Sequence, residues 1–280
     1  MKTEFVQISD NLFGVLGKLI TDTYGIKMSP EKKIMFQSRM QRRLAELQID
    51  SFDEYAILFA DEKKKKEELH VISDYISTNK TEFFREFEHF EFLTDRVLPE
   101  IRDRRNEVSK LNIWSAGCSS GQEAYSICMT IEEFKRRHNA EFSYHVLATD
   151  ISERMLKIAR NAVYPLCQVT GISIDLKRRY LLKSKNPKDQ KVRIVQELRE
   201  KVRVGRLNLM ESLGMFQSEF DVIFLRNTLI YFSPQVQLTV LREVVRCLKP
   251  GGYLFIGHSE SLVNLDLPIR PVAPSVYVKI

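Results

Sequence analysis

Leu111-Asn-Ile-Trp-Ser-Ala-Gly-Cys-Ser-Ser-Gly-Gln-Glu123 reads as a hydrophobic strand that runs into a loop of small residues and then into a helix. Few side chains block such a loop, so backbone N–H groups can approach a nucleoside cofactor. Nucleoside-binding folds often carry an acidic-x-Gly-x-Gly-x-Gly pattern. Here Gly117 and Gly121 are kept, Ser119 replaces a glycine and Ser115 replaces the leading acid. An ordinary tight strand–helix turn would show the same residues.

Outward from this stretch, strands and helices alternate. Residues 111–118 read as a strand and 122–138 as a helix, followed by a strand over 144–151 and a helix over 153–164. Residues 220–227 form a continuous apolar run ending in polar residues, as in a strand buried on both faces. Ser233-Pro234 starts a helix that runs to Lys249, ahead of Pro250-Gly251-Gly252, and 253–257 and 276–280 supply late strands. The pattern predicts an α/β fold with a doubly wound, mainly parallel sheet, whose ligand crevice lies beyond the carboxyl ends of the strands. Residues 166–206 interrupt it. They hold Lys177-Arg178-Arg179-Tyr180, a turn at Asn186-Pro187, and strand-like 191–195 and 202–205, which together read as a helix and a small antiparallel appendage.

The N-terminal quarter differs. Residues 1–75 read as helices, with starts at Ser29-Pro30-Glu31 and at the capping box formed by Ser51 and Glu54. Ile34, Met35, Met40, Leu44 and Leu47 recur at helical spacing. The expected organisation is a small helical domain over 1–78, linking helices over 79–110 that complete the cofactor site, and an α/β domain over 111–280 carrying a basic insertion at 166–206.

Composition narrows the function. The chain has 280 residues, 44% of them hydrophobic, which is ample for a core. No run of about 18 apolar residues suggests a membrane span, and the N-terminus lacks a secretion-signal layout, so cytoplasm is the expected compartment. Cys118, Cys128, Cys167 and Cys247 are scattered and the five histidines lack ligand spacing, so neither a zinc site nor a disulfide framework is expected. The net charge of +6 is concentrated in residues 151–206, which hold 15 basic and 5 acidic side chains. That excess suits an acidic partner, or is simply a solvated basic surface. The run of lysines at 63–66 is flanked by Asp61, Glu62, Glu67 and Glu68 and reads as a solvated helix face.

Two carboxylates suit a nucleoside. Asp150 ends the second strand, where it can accept from both ribose hydroxyls or instead cap the following helix. Glu123 sits in the first turn of a helix, favoured there by the dipole or by the cationic end of a ligand. There is no Gly-x-x-x-x-Gly-Lys loop, which disfavours a triphosphate.

Further blocks carry a resemblance: 78–85, overlapping Thr81-Glu-Phe-Phe-Arg-Glu-Phe-Glu-His-Phe90, then 114–126, Ala148-Thr-Asp150-Ile, and 220–232 ending Arg226-Asn227-Thr-Leu-Ile-Tyr231-Phe232. Leu248-Lys-Pro-Gly-Gly, Gly257-His-Ser-Glu260 and Ser275-Val-Tyr277 add to it. In type, order and spacing these resemble the chemoreceptor glutamate O-methyltransferases, which use S-adenosylmethionine and release S-adenosylhomocysteine on a class I methyltransferase-like fold. The resemblance implies that Asn79, Thr81 and Arg85 contact the methionine end of the cofactor. Thr81 and Arg85 would share one face of a polar helix, with Phe83, Phe87 and Phe90 buried opposite. Arg85 could instead pair with Glu82 or Glu88. By the same resemblance Glu123, Asp150, Asn208, Leu209, Arg226 and Asn227 bind the cofactor, beside the loop glycines Gly117 and Gly121. The family often has an acid where this chain has Gln122, which puts any role of that acid in doubt.

Glutamate, with a pKa of about 4.3, is already ionised at neutral pH, so the reaction needs alignment rather than a general base. Tyr231 is expected to orient the substrate carboxylate, unless it is a packed tyrosine at a helix entry. Arg96 is a weaker candidate for holding the acidic substrate. The partners implied are acidic helices of chemoreceptor cytoplasmic domains, docked through 166–206, with no nucleic acid and no membrane insertion. A nucleic-acid methyltransferase would share the sheet, but it usually carries an Asn/Asp-Pro-Pro-aromatic motif where this chain has Arg226-Asn-Thr-Leu-Ile-Tyr231. A non-catalytic receptor adaptor would not need the Asn79, Arg85, Glu123 and Asp150 set.

Overall fold

The computed structural model describes residues 5–103, 110–217, 219–262 and 265–280. Residues 1–4, and 104–109 of the expected linking helices, lie outside them.

The chain starts with α1 (Asp10–Tyr24), α2 (Lys33–Leu47), α3 (Phe52–Ile57) and α4 (Glu62–Ile76). Ser9 caps α1 by accepting from the Leu12 N–H. Ser29-Pro30-Glu31 opens a short 3-10 turn, Pro30–Lys32, that leads into α2. Ser51 accepts from the Glu54 N–H at 3.1 Å, while the Glu54 carboxylate accepts from the Asp50 N–H at 3.4 Å, one residue earlier than a standard capping box. Phe36, Met40 and Leu44 of α2 pack against Phe13, Tyr55 and Ile72. Ile34, expected on that face, is 77% exposed.

After α5 (Glu88–Phe92) and α6 (Leu98–Asp103) come β1 (Leu111–Ala116), α7 (Gln122–His138), β2 (Tyr144–Asp150), α8 (Glu153–Asn161) and β3 (Val163–Pro165). Then follow α9 (Ile174–Tyr180), β4 (Leu181–Lys183), β5 (Lys191–Ile194), α10 (Gln196–Arg199) and β6 (Val202–Arg206). The chain closes with β7 (Phe220–Leu225), α11 (Pro234–Cys247), β8 (Leu248–Ile256), β9 (Ile269–Ala273) and β10 (Val276–Lys279).

The 7-stranded sheet runs β6-β2-β1-β7-β8-β10-β9. Its strands β6, β2, β1, β7 and β8 are mutually parallel, and β10 is antiparallel to both its neighbours. Strand order reverses between β1 and β7, so the crevice opens where the sequence pattern put it. This is the doubly wound, class I methyltransferase-like architecture. Every residue of β7 is buried, as its apolar run required. Trp114 is fully buried and its indole N–H donates to Thr149 Oγ1 at 2.8 Å, tying β1 to β2.

Four expectations need correction. Residues 202–205 do not belong to the appendage: β6 pairs parallel with β2, Val146 opposite Val202. The appendage is the 3-stranded sheet β3-β5-β4 with α9. The helix expected to reach residue 164 ends at Asn161, because Ala162 turns left-handed (φ 52°) and Val163 enters β3. Third, Pro250-Gly251-Gly252 lies inside β8 rather than before it. The fourth concerns the segment 81–87, which is not helical: Phe84 and Glu86 take positive φ of 56° and 53°. Those angles break the helical register, so Thr81 and Arg85 do not share a helix face, and α5 begins only at Glu88. Phe83 and Phe90 are buried as expected, but Phe87 is 54% exposed.

The helices join the sheet at specific points. Ile26 forms an isolated bridge with Phe232, and the Lys27 N–H donates to the Tyr231 carbonyl at 3.0 Å. Asn208 Nδ2 donates to the Thr23 carbonyl at 2.8 Å, and Ser152 Oγ to Asp74 Oδ1 at 2.6 Å.

Candidate active site

A cavity of about 370 Å3 lies beyond the carboxyl ends of β1, β2 and β7, within the range of roughly 300–1,000 Å3 of small-molecule sites. Asn79, Thr81, Arg85, Gly117, Glu123, Asp150, Asn208, Leu209, Arg226, Asn227 and Tyr231 all line it. Tyr24, Ile26, Met28, Lys32 and Met35 from the helical region complete the wall, a contribution that the sequence gave no reason to expect.

Two expected residues lie elsewhere. Gly121 is the residue before α7, at φ 93°, where an added Cβ would stand 2.9 Å from that of Ala159. Its role is to let the loop turn tightly against α8. Arg96 is not on the cavity wall: its side chain is 68% exposed and pairs with Glu100 one turn on, at 2.7 Å. Gly117, at φ 79°, does reach the wall, and a Cβ there would meet Thr228 Oγ1 at 2.4 Å.

At one end of the cavity stands Asp150. Its Oδ2 accepts from the Ser119 N–H at 2.8 Å and its Oδ1 from the Ser152 N–H at 2.9 Å. Ser152, not Asp150, caps α8, by accepting from the Met155 N–H. Burial pushes the Asp150 carboxyl above its ordinary range, and the backbone donors offset only part of that. Each carboxylate oxygen has more than one lone-pair site, so acceptor capacity remains for a ligand. Donors from backbone, rather than a cation, hold this group among the described residues.

At the other end Arg226, 6% exposed, sits between two carboxylates. It pairs with Glu86 Oε2 at 3.0 Å and with Glu123 Oε2 at 3.1 Å, and it also donates to the Arg85 carbonyl. Ser115 Oγ donates to Glu123 Oε1 at 2.6 Å and Asn227 Nδ2 to Glu86 Oε1 at 3.3 Å. Burial tends to raise both acids. For Glu86 the Arg226 charge and hydrogen bonds outweigh it and the pKa falls; for Glu123 burial wins and the pKa rises. Glu123 therefore meets a protein cation rather than facing the cavity alone.

The 81–87 turn connects these parts. The Phe84 N–H donates to Ser126 Oγ of α7 at 3.0 Å, and the Phe83 ring meets Tyr164 edge-on at 5.1 Å. With Phe83 and Phe84 pinned, Arg85 lines the cavity and Glu86 reaches Arg226. Arg85 donates to the Lys80 carbonyl at 3.1 Å and forms no ion pair with Glu82 or Glu88 among the described residues.

Two acids here were not assigned from sequence. Glu86 is one. Glu260 is the other: it accepts from the backbone N–H groups of Asn227, Leu229 and Gly257 at 2.9, 2.7 and 2.7 Å, fixing the turn that carries Tyr231. Both lie inside blocks that carried the family resemblance, and that was their only signal.

Comparison with known proteins agrees with this geometry. Residues 79–277 match the model of "CheR methyltransferase, SAM binding domain", and residues 11–77 that of "CheR methyltransferase, all-alpha domain". A chemotaxis protein methyltransferase of Borreliella burgdorferi is 34% identical over 276 residues, covering 98% of this chain and 96% of that protein. Chemotaxis protein methyltransferase 2 of Pseudomonas aeruginosa is 34% identical, covering 99% and 92%, and the Escherichia coli chemotaxis protein methyltransferase is 33% identical, covering 98% and 93%.

Proposed function

The chain belongs to the CheR methyltransferase family, an S-adenosylmethionine-dependent methyltransferase of chemotaxis, and from that premise we propose that it esterifies glutamate side chains of chemoreceptors. One observation carries the proposal: a single cavity has a backbone-held carboxylate at Asp150, an arginine end at Arg85 and Arg226, and Tyr231 on its wall.

The residues fit the cofactor. Asp150, with acceptor sites to spare, would take the ribose hydroxyls, and Gly117 keeps the loop close without side-chain obstruction. Arg85, Asn79 and Thr81 would hold the methionine end, where a guanidinium suits a carboxylate. Asn208, Leu209 and Asn227, the last anchored by Glu260, also line the cavity and would complete the cofactor's surroundings. When bound, S-adenosylmethionine supplies a methyl carbon made electrophilic by its sulfonium. A substrate glutamate, ionised at neutral pH, needs no proton removed, so the protein's task is alignment. Tyr231 would donate to that carboxylate and aim it; Arg96, outside the wall, would act at most on the approaching receptor.

The helical region, residues 79–110 and the α/β region would divide the work. The first would supply the wall around Tyr24 and Met35, the second Arg85, and the third Arg226 and the ribose end. Receptor helices rich in acids would dock on the basic segment 166–206. In the triplet Lys177-Arg178-Arg179, Arg179 pairs with Glu133 at 2.9 Å, and the exposed Arg178 and half-buried Lys177 are the members left to meet a partner. No helix among the described residues is long and apolar enough to cross a membrane, and a cytoplasmic setting fits a cytoplasmic receptor domain.

The test is label transfer from methyl-labelled cofactor to chemoreceptor fragments, read by mass spectrometry. We expect methylated glutamates whose label is lost in mild base. Base-stable label, or label on RNA instead, contradicts the proposal.

A further inference from the structure

Beside the arginine end, three side chains that do not line the cavity converge: Glu86 of the 81–87 turn, His89 of α5 and His258 just after β8. One ligand atom from each lies within 4.8 Å of the others. Glu86 Oε2 and His89 Nδ1 are 3.5 Å apart, close to the edge of a tetrahedron whose metal–ligand bonds are roughly 2.0–2.1 Å. His89 is 2% exposed and neither of its ring nitrogens has a hydrogen-bond partner. Buried polar atoms are almost always satisfied, so two orphaned nitrogens on one ring ask for an explanation. The His258 ring meets His89 edge-on with centroids 4.8 Å apart, and Phe255 packs on His89 at 5.5 Å. His258 is exposed, so an ion and a water ligand can enter from that side.

We propose that Glu86, His89 and His258 bind a divalent cation of the zinc class, and that the bound ion competes with Arg226 for Glu86. Two imidazoles and one carboxylate form a donor set suited to zinc and its neighbours, with a fourth position open to water. Calcium and magnesium, which prefer all-oxygen ligands, fit it poorly. The competition follows from a shared atom: Glu86 Oε2, the oxygen nearest His89, is also the one that accepts from Arg226 Nη2 at 3.0 Å and from its Nε at 3.3 Å. A cation on that oxygen repels the guanidinium. Arg226 lines the cofactor cavity, so loading the metal loosens that end of the cavity. His89 and His258 stand far apart in the chain, so no spacing along the sequence could reveal the site.

The whole 280-residue chain, stripped with a chelator and carrying Cys167→Ser to remove the exposed thiol, is titrated with Co2+ and then Zn2+. We expect one equivalent of cobalt with the visible absorption of a tetrahedral site, displaced by zinc. Zinc should also weaken S-adenosylhomocysteine binding by at least about fivefold, a typical coupling between sites. His258→Ala, at an exposed position that should not disturb folding, abolishes both effects. Metal binding that survives His258→Ala, or site-dependent binding that leaves cofactor affinity unchanged, overturns the proposal. The cobalt spectrum reads the site without any methyl transfer, so its outcome is independent of the substrate proposed above.

Discussion

Carboxylates at and beside the two ends of the cavity are held in opposite ways. Asp150 is held by backbone N–H groups, whereas Glu86 and Glu123 share the guanidinium of Arg226. The first arrangement keeps a carboxylate desolvated and ready, with its pKa raised by burial. The second spends its charges on one another and fixes the shape of the wall, with the pKa of Glu86 lowered. Asp150 keeps acceptor capacity for a ligand, whereas the Arg226 charge is already taken up by Glu86 and Glu123.

Removing the cation should have the largest effect. Arg226→Met leaves two largely buried acids without their cation and should cost about 3 kcal/mol of stability, read by denaturant unfolding. Asp150→Asn removes an uncompensated buried charge and should leave stability nearly unchanged. Equal losses in the two variants would erase the distinction. For ligand binding the order reverses. Asp150→Ala should weaken S-adenosylhomocysteine by roughly 100-fold or more by calorimetry, from lost charge-assisted hydrogen bonds of about 1.5–3 kcal/mol each.

Acidity separates the ends further. Because burial raises Asp150, its protonation begins above the ordinary aspartate value of about 3.9. Cofactor affinity should therefore fall as pH drops through that raised value, and Asp150→Asn should flatten the profile. The stability contribution has the opposite sense. A native pKa above the unfolded one means the folded state binds more protons between the two values, so this group's contribution declines as pH rises through that window. Glu86, with its pKa lowered, contributes stability above its unfolded value that is lost as pH falls through the folded one. The smallest effect lies between the ends. Tyr231→Phe should lower turnover about tenfold, or about 1.4 kcal/mol, while leaving cofactor affinity intact. Unchanged turnover would make Tyr231 a structural residue only.

What the sequence revealed follows the same division. The β1–loop–α7 unit and the strand ending at Asp150 are written in local periodicity and glycine placement; α7 stands as expected to its first and last residue, while β1 stops at Ala116, two residues short of the expected end. The arginine end depends on contacts between distant residues, because Glu86 and Arg226 are 140 positions apart. No local signal announces left-handed Phe84 and Glu86 either; the turn persists because Phe83 and Phe84 are pinned against Tyr164 and Ser126. Residues 202–205 misled for a related reason, since a short strand does not reveal whether its partner is β2 or a neighbouring hairpin. Arg96 illustrates the reverse error: it has the charge a substrate would want, but it lies on the exposed face of a helical segment and pairs with Glu100.

The most direct measurement is a crystal structure of the chain with S-adenosylhomocysteine. We expect the ribose hydroxyls within about 2.6–3.2 Å of the Asp150 carboxylate and the methionine carboxylate beside Arg85. A product bound in the reverse direction, or outside the crevice between Arg85 and Asp150, would contradict the assignment of Asp150 to the ribose and of Arg85 to the methionine carboxylate.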